Sequence, residues 1–521
     1  MIKKARTFLT RWLFEGEVLR LMGLTVLAKP IGLYTQVLIA KHFGAGTEYD
    51  AYLLSIFLAT LMSQMIARVY GSVVVPFLIE LKSRKGAEEY FHVQMALNLL
   101  YSAPAVVFML LVMAFGDYFV RLIAPNAPPE TTALAVRALP MLAVPALAMM
   151  GLEMGKVILN LNKRYRVAAT MPIVNSLILV GAVLLFQERW GIWSLFGGYA
   201  AAQVLQFAIT WGQAKSLDFA RICRPVISKS QVAQVWSLSW MVFIATSFET
   251  ANSFLEKYFA AGLAAGSVSA IGYSLVVMNF AVQIFTFSLI AMMFTRMSEL
   301  IAAKDMSAVG TYLENNLRRL TRFVMPLSIG LTVASLQIVQ VLFERGQFDH
   351  TDTLLTSRTL ALYMVGLPAV VINHVVAGIF FSLNRMRDKV WLALQYITTA
   401  TLGNLLLIPS LQVAGIAVSA TLSINLHIGL GLWILSRNRN GIRTSGFIRV
   451  ILRAYAIGAA VYALFYLTGI DSLTEHLVPG ESHRQMFLLG SVRVVLVFGL
   501  YFACEAIARF LKVRHTRLTA G

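Results

Sequence analysis

The chain has 521 residues, 58% hydrophobic and 13% charged, with a mean hydropathy of +0.71 and a formal net charge of +19. A soluble globular protein runs about 45–50% apolar and about 25% charged, so this balance excludes a soluble enzyme and defines an all-α integral membrane protein. The cations lie in loops, so the surplus charge implies no nucleic acid partner.

Residues 1–19 are basic and amphipathic, with Lys3, Lys4, Arg6 and Arg11 among Phe8, Leu9, Trp12 and Leu13. No small-residue cleavage site follows an apolar core, and the segment reads as a helix lying on the cytoplasmic surface. A membrane span needs about 20 mostly apolar residues, and fourteen such stretches follow. They run over 20–42, 51–79, 94–115, 137–160, 167–186, 192–213, 232–256, 266–295, 321–343, 358–382, 390–409, 413–436, 450–469 and 486–508. Placing the N-terminus inside puts 32 of the 44 lysines and arginines in cytoplasmic segments and 8 outside, alternating loop by loop. Cations collect on the cytoplasmic side, so the pattern predicts both termini cytoplasmic.

The chain also repeats itself at a separation of about 220 residues. Arg137 and Pro145 match Arg358 and Pro368, Leu161-Asn162-Lys163-Arg164 matches Leu383-Asn384-Arg385-Met386, and Lys41-His42-Phe43-Gly44-Ala45-Gly46 matches Lys257-Tyr258-Phe259-Ala260-Ala261-Gly262. A duplicated unit of this size is half of a transporter. The expected organisation is an N-lobe over 20–213 (spans 1–6), a cytoplasmic linker over 214–231, a C-lobe over 232–436 (spans 7–12), and residues 437–521 with two extra spans and a basic tail. Each repeat has an even number of crossings, so the two should be parallel, related by an axis along the membrane normal, with rocking as the natural motion.

Several stretches carry a family likeness. Ala28-Lys29-Pro30-Ile31-Gly32, Val37 to Gly46, Asp50-Ala51-Tyr52, Val75-Pro76-Phe77-Leu78, Ala265-Gly266-Ser267-Val268-Ser269 and Leu342 to Phe348 resemble, in order and spacing, the MviN/MurJ family of lipid II flippases, within the multidrug/oligosaccharidyl-lipid/polysaccharide exporter superfamily. The likeness covers about Gly23 to Arg437. It implies transfer of an undecaprenyl-diphosphate-linked glycan from the inner to the outer leaflet, with a cationic cavity for the diphosphate and a groove beside the last two helices for the lipid tail. Lys29 keeps a cation where the family has arginine, and Asp50 is kept. Thr35-Gln36 stand where the family has an Arg-Asp pair, Ser63-Gln64 where it has paired arginines, and Val276 and Asn279 where span 8 offers arginine and glutamate. These departures leave open whether the cargo is lipid II or the repeat unit of an exported polysaccharide.

Ionisable groups inside spans cost several kcal/mol unless they face water or partners. Lys29 and Arg68 are each placed about 15 Å from the inner face and are read either as a paired floor for a diphosphate or, for Arg68, as a structural or interfacial ion. Glu249, with Asn252 on the same helical face, is an inter-lobe partner for these cations, a proton or sodium site, or a buried hydrogen bonder. Glu153 with Lys156 and Glu505 with Arg509 have the spacing of local pairs, Arg493 either snorkels outward or meets a lipid phosphate, and His374 and His427 read as packed. The candidate substrate-binding residues are therefore Lys29, Asp50, Ser63, Gln64, Arg68, Glu249, Asn252 and Asn279.

No nucleotide-binding lysine loop, catalytic triad or zinc spacing occurs, so the expectation is a non-enzymatic carrier without a cofactor, driven by a coupling ion or the membrane potential. Its expected partners are the lipid-linked oligosaccharide, membrane lipids and cell-envelope glycan synthesis proteins. A drug or metabolite antiporter of the same superfamily and a non-transporting scaffold for glycan assembly are the competing readings.

Overall fold

The computed structural model of the protein describes residues 16–161, 164–215, 224–285, 291–303, 305–383, 385–437, 445–478 and 482–518, and every regular element among them is helical. Among the described residues, each of the fourteen apolar stretches falls on one helix or on consecutive helical elements. Among the described residues nine helices are individually long and apolar enough to cross a membrane, ten if one bent pair counts as a single span. The chain divides into two compact units, Met1–Val268 and Ser269–Gly521.

The first unit opens with α1 (Gly16–Phe43), which a turn at Gly44 (φ 62°) joins to α2 (Thr47–Val69). α2 continues without a break through a π-helical turn, Tyr70–Val74, into α3 (Val75–Lys85). At 1.5 Å per residue this rod is about 57 Å long, well beyond the roughly 30 Å of a hydrocarbon core. α4 (Ala87–Ala114), the short α5 (Gly116–Ile123), α6 (Pro129–Leu161), α7 (Tyr165–Trp190), α8 (Trp193–Lys215) and α9 (Lys229–Ala261) complete the unit. α6 lies against both α2 and α8. Small residues allow that approach: a Cβ on Gly151 would sit 2.5 Å from the Phe207 ring, and one on Gly155 2.6 Å from Thr210.

α9 stands first in the sequence's second repeat, yet it packs on α2 within the first unit. Val235 is buried among Tyr70, Val73, Val74, Phe77 and Tyr90, and Ser239 shares a hydrogen bond with Tyr101 of α4. The expected lobe boundary at 214–231 thus differs from the packing boundary at Val268.

The second unit contains α10 (Ser267–Phe285), α11 (Ala291–Ala302), α12 (Met306–Val333), α13 (Ser335–Phe343), α14 (His350–Ser382), α15 (Met386–Leu411), α16 (Val413–Arg437), α17 (Ser445–Leu467), α18 (Ile470–Leu477) and α19 (His483–Leu518). α12 and α13 meet at a bend of 68°. α12, α17 and α19 share a core of Met325, Ile329, Val461, Phe465, Val497 and Tyr501.

Each unit repeats the other's internal detail. Ser55 on α2 donates to Ala51 O and to Ala135 O of α6, while Ser274 on α10 donates to Ala270 O and to Thr356 O of α14. The α7–α8 turn passes through Gly191 at φ 52°, ψ −133°, and the α15–α16 turn through Gln412 at φ 53°, ψ −132°. Arg164 and Arg385 cap the following helices with matching backbone, φ −88°, ψ 51° and φ −98°, ψ 55°. The echoed pair Asn162 and Asn384 lies outside the described residues.

A candidate substrate-binding face in the first unit

At the turn between α1 and α2 the chain is locked to the segment preceding α10. Asp50, in the first turn of α2 and only 5% exposed, accepts a hydrogen bond of 2.8 Å from the backbone N–H of Gly266. Gly266 has φ +85°, and a Cβ there would stand 2.2 Å from Ala45 O, so backbone meets backbone and only glycine fits. The role this gives Asp50 is that of a latch.

Below the turn, α1 packs against α7 while α2 goes to α6 and α9. Lys29 is half-buried on α1, directly before Pro30 inside the helix, and pairs with no described carboxylate. Proline removes one backbone hydrogen bond and permits a local kink. Arg68 is exposed in the last turn of α2. Lys29 lies 14 residues before Phe43 and Arg68 lies 21 after Thr47, depths of about 21 and 32 Å along their helices from the shared turn. The two cations are therefore staggered by about 10 Å, a correction to the level pair expected from sequence. Part of the cause is where α2 begins, at Thr47 rather than at the expected 51, which sets Arg68 farther from the turn.

Gln64 is exposed one turn from Arg68, and its amide donates to Thr60 Oγ1 at 2.8 Å. Ser63 is buried and points the other way, its hydroxyl donating to Ala146 O of α6 at 2.8 Å. On α9, Asn252 Nδ2 donates to Glu256 Oε1 at 3.3 Å, and Glu249 lies on the same helical face, its side chain outside the described ones. The ammonium of Lys257 stands over the Phe57 ring of α2 at 4.6 Å. The apolar stretch ends at 256 and leaves Lys257 in a loop, but α9 runs to Ala261 and carries both Glu256 and Lys257 within the helix. The repeat echo pairing Lys41 with Lys257 was the available signal.

Asn279 is exposed on α10 and belongs to the second unit. There, Arg493 corrects a further expectation. It neither snorkels nor faces lipid: only 4% exposed, it lies 2.6 Å from Asp471 and 3.0 Å from Glu475, and its Nε donates to Thr474. Glu153 and Lys156 form the local pair expected of them, at 2.6 Å. Glu505 engages Arg322 of α12 at 3.2 Å, while the Arg509 side chain lies outside the described ones. His427 Nδ1 hydrogen-bonds to Leu392 O, as a packed histidine does, and His374 is exposed on α14.

A helical membrane chain with duplicated internal geometry, and with cations set along its spans, is a multi-pass transporter. The family model described as "Lipid II flippase MurJ" matches residues 39–488. The chain belongs to the MurJ lipid II flippase family. It is 25% identical over 509 residues to the probable lipid II flippase MurJ of Rickettsia prowazekii (strain Madrid E), covering 95% of this chain and 98% of that one. With the lipid II flippase MurJ of Burkholderia cenocepacia it shares 22% over 455 residues, 85% and 87% of the two chains. Among solved structures, a lipid II flippase MurJ in an inward closed conformation superposes with a TM-score of 0.77 at 18% identity, over 95% of this chain and 99% of that one. An inward-facing multidrug resistance MATE family transporter of the MOP superfamily reaches 0.62 at 12% identity, over 82% and 94%. These superpositions carry the fold.

Proposed function

We propose that the protein moves an undecaprenyl-diphosphate-linked glycan from the inner to the outer leaflet, exposing its binding face alternately to the two sides. Family membership supports a lipid-linked precursor as cargo and favours neither a drug antiporter nor a scaffold. The observation that carries the reading within the chain is Lys29, a half-buried cation inside a membrane helix with no described carboxylate beside it. Such a charge is costly unless water or an anion meets it, and a diphosphate is a fitting anion. Arg68, about 10 Å deeper toward the cytoplasm, receives the headgroup first and Lys29 receives it next. An inside-negative potential favours outward movement of an anion by about 2.3 kcal/mol per charge per 100 mV, which can drive the step without a dedicated coupling ion.

Rescue of a strain depleted of its lipid II flippase tests this directly. The wild-type chain should restore growth and Lys29→Ala, at equal membrane abundance, should not. Rescue of a strain lacking a polysaccharide repeat-unit flippase, but not of the first strain, moves the assignment to that cargo. Rescue of neither overturns the reading.

A further inference from the structure

The rod α2–α3 is exposed at every fourth residue: Gln64, Arg68, Ser72, Pro76 and Glu80. Between them Met65, Ile66, Val69, Tyr70, Val73, Val74, Phe77 and Leu78 are buried, and only at the end of the stripe, at Ile79, is a residue between them exposed. An α-helix has 3.6 residues per turn, so three steps of four residues, from Gln64 to Pro76, rotate a stripe by about 120°. A π turn accommodates one extra residue and absorbs about 100° of that rotation. The π turn Tyr70–Val74 lies in the middle of the stripe, and it brings Pro76 back to within about 20° of Gln64, so the exposed stripe does not wind off the face that carries Gln64, Arg68 and Ser72. It is held firmly: Tyr70 is buried, and its hydroxyl donates to Asn98 Oδ1 at 2.5 Å. Beside the face there is room, since a Cβ added at Gly71 meets nothing within 4 Å.

We propose that Ser72 is a further substrate contact, forming with Arg68 and Gln64 a polar track for the headgroup, and that the π turn keeps the continuation of that track on the same side of the rod. This rests on the flippase reading above. A guanidinium, a primary amide and a hydroxyl at one-turn intervals, with open space at Gly71, suit a phosphorylated sugar: the arginine takes phosphoryl oxygens, and the amide and hydroxyl take sugar hydroxyls. The rod is about 57 Å long and outruns the roughly 30 Å of a hydrocarbon core, so a stripe of this polarity meets water or headgroup rather than hydrocarbon.

The test uses the full-length chain with Cys223 and Cys504 replaced by serine, carrying single cysteines at Gln64, Met65, Ser72 or Val73. In membranes, a polar thiol reagent should modify cysteines at 64 and 72 at least tenfold faster than those at 65 and 73, and added undecaprenyl diphosphate should slow modification at 72 several-fold. Ser72→Leu should reduce rescue of the flippase-depleted strain at least tenfold, and Ser72→Thr, which restores the hydroxyl, should recover most of it. Equal labelling at 72 and 73, or no protection at 72 in a chain that does rescue, overturns the proposal while leaving the flippase reading intact. Labelling with the predicted period in a chain that rescues neither strain overturns the flippase reading and leaves the track without its substrate.

Discussion

Single residues set the end of the first unit where α1 turns into α2, and the Asp50–Gly266 contact is the clearest of them. Resemblance puts Asp50 among the substrate-binding residues, and its Oδ2 accepts a hydrogen bond from the Gly266 amide. A hydrogen bond to a charged acceptor contributes about 1.5–3 kcal/mol, and a left-handed alanine costs about 1–2 kcal/mol even before the 2.2 Å approach to Ala45 O is relieved. Gly266→Ala should therefore lower the thermal midpoint of the detergent-purified protein by more than Asp50→Ala does; the reverse order would show that the close backbone approach relaxes easily. Both residues were conspicuous in the sequence, as parts of separate motifs. Their contact was not, because a hydrogen bond spanning 216 residues leaves no local periodicity. Lys29 was legible for the opposite reason: a charge in an apolar run announces itself.

At the scale of elements, the short helix α18 shows what the sequence hides. Residues 470–477 read as part of a polar outer loop, and Arg493 as a lone charge inside the last span. The structure unites them, since Asp471 and Glu475 are one helical turn apart and both reach the same guanidinium. Breaking a fully buried pair costs about 3–5 kcal/mol; with the Asp471 and Glu475 side chains 32% and 63% exposed, we expect about 1–3 kcal/mol for Arg493→Ala. Unfolding midpoints of the purified protein should fall accordingly, and Arg493→Lys should recover only part because an ammonium lacks the fork that serves two carboxylates. An unchanged midpoint for Arg493→Ala would mean that the hairpin of α17 and α19 needs no such tie. The π turn in the rod was equally hidden. Its signature, exposure every fourth residue, depends on knowing which neutral side chains are buried, and Ala67, Gly71 and Val75 say nothing of that on their own.

For the whole molecule, apolar runs located the helices because hydrocarbon demands them, whereas their ends escaped because polar helix continues past the membrane, as it does from Leu78 to Lys85. Orientation rests on charge asymmetry and has its own experiment. A cysteine at Ser83 should react only with reagent on the cytoplasmic side and one at Thr351 only from outside; labelling of Ser83 from outside reverses the assignment. The duplication reaches into the backbone itself, and there the two copies have parted in one place. Gly191 adopts φ 52°, ψ −133° with no side chain to object, and Gln412 holds the same angles as the one described non-glycine residue with positive φ. Such a conformation costs a residue with a Cβ about 1–3 kcal/mol. The molecule thus carries its own matched control, a single bend built once in relaxed and once in tensioned form. Gln412→Gly should raise the unfolding midpoint and Gly191→Gln should lower it by a similar amount. If so, the later half of the chain has been living on borrowed stability that one atom-sparing substitution returns.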